Sequence, residues 1–280
     1  ADDYMEALVR REPDGLPWAP QVKFTENSVP MMIGDGLWGS IRGKADEALR
    51  VADPHTGNVA WYGIVEEHDA PAYYGMRLKV VDRRIAEVET VVARERNPGP
   101  FGEPAKFAVD AAFLKPLAER ERTPRERMIA LVDGYASTMQ LNDGTLFTQF
   151  ARGCQRTENG QVVTRGNASS AVIVAGAGNI AQGCEAQLRA GLYKPVDRVR
   201  DRRIVAVDEE RGLVVATRFA DHAVRTTRYT SADGKQRETQ DKYPSARELF
   251  EIYKVRNGRI ERIEAISVFQ PYHMPSPWNR

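Results

Sequence analysis

FARGCQRTENG, Phe150 to Gly160, ends in Thr157-Glu158-Asn159-Gly160, and the same tripeptide stands earlier as Thr25-Glu26-Asn27. A recurring unusual string is where an internal repeat shows first, and a repeat decides a fold before any single element does. The two copies of the tripeptide are 132 residues apart. Working outward, the turn glycines Gly57 and Gly212 are 155 apart. Lys79 and Lys254, Ile85 and Ile260, and Glu89 and Glu264 are each 175 apart. The matched elements keep their order while the spacing grows in steps, so the second copy carries insertions between them. This predicts a first repeat over 1–95, a linker with a connecting helix over 96–122, and a second repeat over 123–280.

Each copy has the same succession of signals. Asp2 to Arg11 and Arg125 to Gln140 show apolar residues at helical spacing. Ala1-Asp2-Asp3 offers a cap to the first helix, and Thr123-Pro124 a cap and first turn to the second. Gln21 to Ile33 alternates like a strand bent at Pro30, and Leu37 to Gly43 suggests a short helix. Leu146 to Ala151 reads as a helical turn leading into the second tripeptide. Strand-like runs follow in pairs: Leu49 to Ala52 with Val59 to Glu66, Tyr73 to Val81 with Ile85 to Val92, Ile204 to Val207 with Leu213 to Phe219, and Leu249 to Val255 with Ile260 to Val268. Asp53-Pro54-His55-Thr56-Gly57 and Asn257-Gly258 are hairpin turns. Asn97 to Glu126, rich in proline and glycine and then in charge, reads as the linker. The expected class is α+β: two tandem units, each a curved antiparallel sheet wrapped on helices. Such a cone is a natural apolar pocket.

Composition narrows the function classes. The chain has 280 residues, 42% hydrophobic and 28% charged, with a formal net charge of +1. That balance provides no overall field for nucleic acid. No apolar run reaches bilayer length, and the acidic start shows no signal peptide. The expected setting is cytoplasmic. Cys154 and Cys184 are the only cysteines. Two free thiols are the plain reading, and a Cys154–Cys184 bridge is the alternative.

The order of elements resembles the NTF2-like, or SnoaL-like, superfamily, above all in the closing hairpin YKVRNGRIERIEA, Tyr253 to Ala265. Tyr229 to Tyr243 is then a loop inserted before the penultimate strand. Within that superfamily, TENSVPMMIGDGLW (Thr25 to Trp38), CQRTENG (Cys154 to Gly160), GCEAQL (Gly183 to Leu188), VRDRRIVAVDEERGLVVA (Val199 to Ala216), FADH (Phe219 to His222) and PYHMPSPW (Pro271 to Trp278) resemble a two-copy group. That group is similar to the sphingomonad lignin diarylpropane lyases. The resemblance implies a cofactor-independent lyase that removes water and formaldehyde from an aromatic diol and leaves a stilbene. It also implies pairing through the convex sheet faces, either in a homo-oligomer or inside the tandem chain. The same fold hosts dehydratases, isomerases and non-catalytic binding modules.

No motif carries that group's catalytic residues onto this chain, so candidates follow from side-chain chemistry. The four histidines are isolated, with no metal-ligand spacing. His55 and His68 sit in turns. His222, after Asp221 at a strand end, and His273 are the acid–base candidates, with Asp221 and Tyr135 in support. Arg156 or Arg203 would hold a phenolate. Glu158, Asn159, Tyr253 and Tyr272 complete a substrate-binding set for an aromatic small molecule. The plainer reading of Glu26, Glu158 and their asparagines is that they satisfy backbone groups at a bulge. VIVAGAGNIA, Val172 to Ala181, has the outline of a dinucleotide fingerprint, with Asp197 near the ribose position. No alternating parallel strands and helices surround it, so a glycine-rich loop at the pocket mouth is preferred. His222, the arginine cluster and this loop lack counterparts in the first copy, which points to the second cone as the working pocket.

Overall fold

Helix α1 (Asp2–Arg10) buries Tyr4, Met5, Ala7 and Leu8 along one face, with Asp2 and Asp3 in its first turn and Arg10 in its last, as the helix dipole favours. The chain then forms β1 (Trp18–Glu26), β2 (Val29–Pro30), the single turn α2 (Leu37–Ser40), and β3 (Ile41–Asp53), β4 (Asn58–Glu67), β5 (Ala70–Val81) and β6 (Arg84–Arg94). The computed structural model describes residues 1–164, 183–239 and 241–279. Residues 95–124 hold three single helical turns, including α3 (Ala111–Leu114), capped by Asp110. The second half contains α4 (Arg125–Leu141), β7 (Phe150–Glu158), β8 (Gln161–Val162), α5 (Cys184–Arg189), β9 (Arg198–Asp208) and β10 (Leu213–His222). It continues through a small hairpin, β11 (Arg228–Thr230) and β12 (Gln236–Glu238), into β13 (Ser245–Arg256) and β14 (Arg259–Pro271).

The result is α+β, with two six-stranded sheets in the orders β2-β1-β6-β5-β4-β3 and β8-β7-β14-β13-β10-β9. Their registers coincide. Thr25 pairs with Glu89 as Thr157 pairs with Glu264, and Gly75 faces Val91 as Phe250 faces Ile266. The sheets are mixed, where purely antiparallel sheets were expected: β1 runs parallel to β6, and β7 parallel to β14. Alternating polarity marks a strand but does not fix the direction of its partner.

The repeated tripeptide turns out to close a tight hairpin. Asn27 and Ser28, and likewise Asn159 and Gly160, all have positive φ, the geometry of a two-residue type I′ turn. Asn27 donates to the Val92 carbonyl and accepts from the Val92 amide. Asn159 repeats this on Ser267 and also donates to Pro100. The strand expected over Gln21 to Ile33 is therefore two strands around this turn, and the helix expected over Leu37 to Gly43 gives way to β3 at Ile41. The helical turn expected over Leu146 to Ala151 yields to β7 at Phe150.

Three apolar clusters hold the molecule together. One fills the first cone around Tyr4, Trp38, Trp61 and Tyr74, and one lines the second around Met128, Leu131, Tyr135, Tyr253 and Ile263. The third lies between the two sheets, joining Leu49, Tyr62, Tyr73 and Val91 to Val215, Phe250, Ile252 and Ile266. That interface has approximate two-fold character. Gly75 and its counterpart Phe250 meet each other, and a Cβ on Gly75 would lie 2.7 Å from the Phe250 ring. Ser28 donates to Glu248 at 2.8 Å, while their counterparts Gly160 and Tyr73 also meet. Two copies of one unit thus bury the same face against each other, as subunits of a two-fold dimer do.

Candidate functional site

The second cone contains a cavity of about 280 Å³. Its walls come from four sources: α4 (Met139), the segment after α5 (Leu192, Tyr193, Val196), the inner faces of the β7, β10, β13 and β14 strands, and the β11–β12 insertion (Tyr229, Thr239, Asp241). Pro98, Gly99 and Pro100 of the linker complete it. The polar groups gather in two places.

At one side, His222 Nδ1 lies 3.0 Å from Asp241 Oδ2 as an ion-pair contact without the alignment of a good hydrogen bond. Arg247 donates to the other oxygen of Asp241 at 2.9 Å and lies over the Phe269 ring. Burial works against the charge of Asp241, but His222 and Arg247 outweigh it and hold its pKa at about 2. Burial also pulls Arg247 below the usual arginine range. With Nδ1 facing Asp241, the second ring nitrogen of His222 is the one available for chemistry.

At the other side, Arg156 donates to Glu158 at 2.9 Å and to Glu251 at 2.5 Å. Arg218 pairs with the second oxygen of Glu251 and donates to the Tyr253 hydroxyl at 2.7 Å. Tyr253 in turn donates to Glu251 at 2.7 Å. Glu251 is fully buried. Burial alone would raise its pKa, but Arg218 and Arg156 hold its carboxyl below the ordinary range. Burial raises Tyr135 and Tyr253, so both phenols stay protonated.

The sequence candidates divide sharply. His222, Arg156 and Glu158 line the cavity. Tyr135 and Tyr253 are buried in the cluster beneath it, their rings edge to face. Asn159 is engaged in the hairpin contacts described above. Asp221, next to His222 on a strand and so on the opposite face, is held by both ends of Arg200. Arg203 pairs with Glu89 of the first sheet. His273 is exposed on the C-terminal segment and meets Tyr272 edge to face, and the Tyr272 hydroxyl donates to Asp197 at 3.3 Å. Val172 to Ala181 lies outside the described residues. Asp241 and Arg247 were missed. Asp241 lies in the insertion, where no periodicity flags an inward residue, and Arg247 lay just outside the expected strand. Their signal was the length of the insertion itself, about 20 residues more than the first copy needs to join the same two strands.

The free-thiol reading is corrected: Cys154 and Cys184 form a disulfide. It fastens β7, which carries Arg156 and Glu158, to α5, which leads into the Leu192–Tyr193 wall. Gln187 adds a second tie by donating to the Val163 carbonyl at 2.7 Å. Among the described residues no three histidine, cysteine or acidic side chains converge as a metal site would need, and no helix is long and apolar enough to cross a membrane.

A family described as a domain of unknown function, DUF8021, matches residues 121–267, more than half of the chain. The chain belongs to that family. The DUF8021 match falls on the half that holds the cavity. No curated protein matches. Solved structures that share features include a protein from Sphaerobacter thermophilus (16% identity, 34% of this chain and 93% of that one, TM-score 0.28). Others are a de novo designed protein with a curved β-sheet (17% identity, 51% and 87%, TM-score 0.29) and AusH from Aspergillus nidulans (15% identity, 51% and 85%, TM-score 0.30). At these scores the likeness assigns neither fold nor activity.

Proposed function

We propose that the DUF8021 half is an acid–base enzyme acting on a small, largely apolar, hydroxylated molecule held in the second cone. The observation that carries this reading is the His222–Asp241–Arg247 array opening onto a cavity that Arg156 and Glu158 also line. His222 transfers the proton, and Asp241 sets its orientation. Glu158, one oxygen of which is held by Arg156, offers a second carboxylate on the same cavity. Curved sheets closing on a helix, with the strand order above, agree with an NTF2-like unit.

The sharpest form of this proposal is the diarylpropane lyase reaction. Protonation at the benzylic hydroxyl releases water, a base takes the proton of the terminal CH2OH, the carbon–carbon bond breaks, and formaldehyde and a stilbene leave. His222 suits the first step and Glu158 the second, with Arg156 near a phenolate. Incubation with such a diol, assaying formaldehyde and stilbene absorbance, tests it. Formaldehyde release lost in His222→Gln supports the lyase. Dehydration or isomerisation without formaldehyde, also lost in that variant, supports the broader acid–base reading. Binding without turnover would leave a non-catalytic binding module. The disulfide moves the proposed place of action from the cytoplasm to an oxidising compartment. Internal pairing of the two sheets makes a monomeric chain the expected state in sedimentation.

A further inference from the structure

The charged cluster beneath the cavity sits at positions where the first unit shows what the fold alone requires. The counterparts of Arg156, Glu251 and Tyr253 are Phe24, Met76 and Leu78, all buried in one apolar cluster. The counterparts of Ala216 and Arg218 are Trp61 and Gly63, and a Cβ on Gly63 would lie 2.7 Å from the Trp61 ring. In the first unit the indole therefore covers the position where the second carries its arginine. A buried ion cluster is commonly no more stable than a well-packed apolar replacement, and here the same chain supplies that replacement at matched positions. The cost of burying Arg156, Arg218 and Glu251 is thus not explained by folding. It is concentrated under the half that has a cavity, and Arg156, with its partner Glu158, reaches that cavity.

We propose that Arg218 and Glu251 are positioning residues that fix Arg156, and through it Glu158, so that a rigid carboxylate–guanidinium pair meets the hydroxyl group of a neutral ligand. The formal charges of the four groups cancel, so the floor of the cavity favours an uncharged hydroxylated molecule over an anion. Glu158 accepts the ligand hydroxyl, and Arg156 keeps the carboxylate from turning away. A pair held in this way discriminates against an analogue lacking the hydroxyl, because its own polar atoms are then buried without a partner. This inference rests on the cavity being a ligand site, but not on His222 transferring a proton.

The experiment imports the first unit's residues: Arg156→Phe, Ala216→Trp, Arg218→Gly and Glu251→Met together (the fourfold variant, made in a Glu158→Gln background so that no carboxylate is left buried without its guanidinium), with Arg156→Lys alone as the milder variant that keeps the charge but loses the fork. Para-cresol and toluene, titrated by NMR, are the probes. The wild type is expected to prefer cresol by about tenfold or more. The fourfold variant should melt within about 5 °C of the wild type and bind both probes equally, with Arg156→Lys in between. Unfolding of the fourfold variant, or a large fall in its Tm, would show that the cluster is structural and overturn the proposal. Unchanged discrimination in either variant, or equal binding of the probes by the wild type, would also overturn it. His222→Ala in the same titration separates the two readings: it should keep the wild-type cresol preference, because the Arg156–Glu158 pair sets it.

Discussion

The two cones share strand order and register, yet one is closed and the other open. In the first, Trp61 and Tyr74 fill the interior, and Arg94 bridges Glu26 and Glu67 across the end of the sheet. In the second, the counterpart of Arg94 is Phe269, that of Glu67 is His222, that of Tyr74 is Leu249 and that of Trp61 is Ala216. Only Glu158 keeps the identity of its partner, Glu26. A few exchanges that remove bulk or break the Arg94 bridge therefore separate a packed core from a pocket. The fold tolerates both because the inter-sheet contact, which does not involve these positions, is common to the two.

The strongest way to break the difference is to close the second cone with the first cone's bridge. His222→Glu with Phe269→Arg places a glutamate and an arginine beside Glu158, the arrangement of Glu67, Arg94 and Glu26. Turnover should disappear, and His222→Gln alone should lower kcat by about 10²- to 10⁴-fold, the usual worth of a proton-transfer group. The melting temperature of the double variant should stay near that of the wild type. Residual turnover within tenfold of wild type would remove His222 from the chemistry.

The opposite change opens the first cone. Trp61 is fully buried and its counterpart is alanine. Trp61→Ala should cost about 3–5 kcal/mol in denaturant unfolding, because the surrounding strands hold their positions and leave a void. A cost below about 1 kcal/mol would mean that the first cone collapses readily and is less tightly packed than its burial suggests.

Much of this contrast was legible in the sequence because repeats supply their own alignment. The offsets of 132, 155 and 175 residues placed both sheets, and the closing hairpin Tyr253 to Ala265 fixed the last two strands of the second. Asn159-Gly160 was read as part of a motif when its plainest signal, a type I′ turn, was present in the dipeptide itself. Strand direction was not legible, since alternation along β1 is the same whether β6 runs with it or against it. Nor was Asp241 as the partner of His222. Adjacent strand residues point to opposite faces, so Asp221 was excluded by geometry, while Asp241 reaches the site only through the tertiary path of the insertion. Arg203 and His273 failed as cavity residues for the same reason: their chemistry was suitable, but their position depended on contacts with the first unit and on the C-terminal segment.

A third difference is the disulfide, which the first unit lacks: the counterpart of Cys154 is Val22. Closing a loop across 30 residues stabilises by about 3.6 kcal/mol in the chain-entropy view. Cys154→Ser with Cys184→Ser should lower stability by about that much. It should also weaken ligand binding, because the Leu192–Tyr193 wall hangs on the tied helix. Loss of stability with binding intact would mean that Gln187 and the packing of α5 hold the wall without the covalent tie.

The last and smallest effect concerns what the two units share. Glu248 is buried and Glu264 half-buried at the inter-sheet contact, and desolvation raises the pKa of each to about 7. Glu248 faces Ser28 and Gln270, which donate to it, with Glu89 raising and Arg203 lowering its pKa. Glu264 accepts from Tyr62 and Thr157, with Asp110 raising and Arg156 lowering its pKa. A carboxyl whose pKa is higher folded than unfolded binds its proton more tightly in the native state. The stability it contributes is complete below pH of about 4.5 and is lost as pH rises through about 7. Each should therefore withdraw on the order of 3 kcal/mol across that window. Glu248→Gln and Glu264→Gln should flatten the fall in Tm between pH 5 and pH 8. Asp241, held at about 2, acts in the opposite sense: its contribution is present above pH of about 4 and fades only as pH falls through 2. A Tm that stays level from pH 5 to pH 8 in the wild type would mean that both carboxylates are solvated or paired more strongly than their contacts indicate. The inter-sheet contact would then be independent of pH over that range.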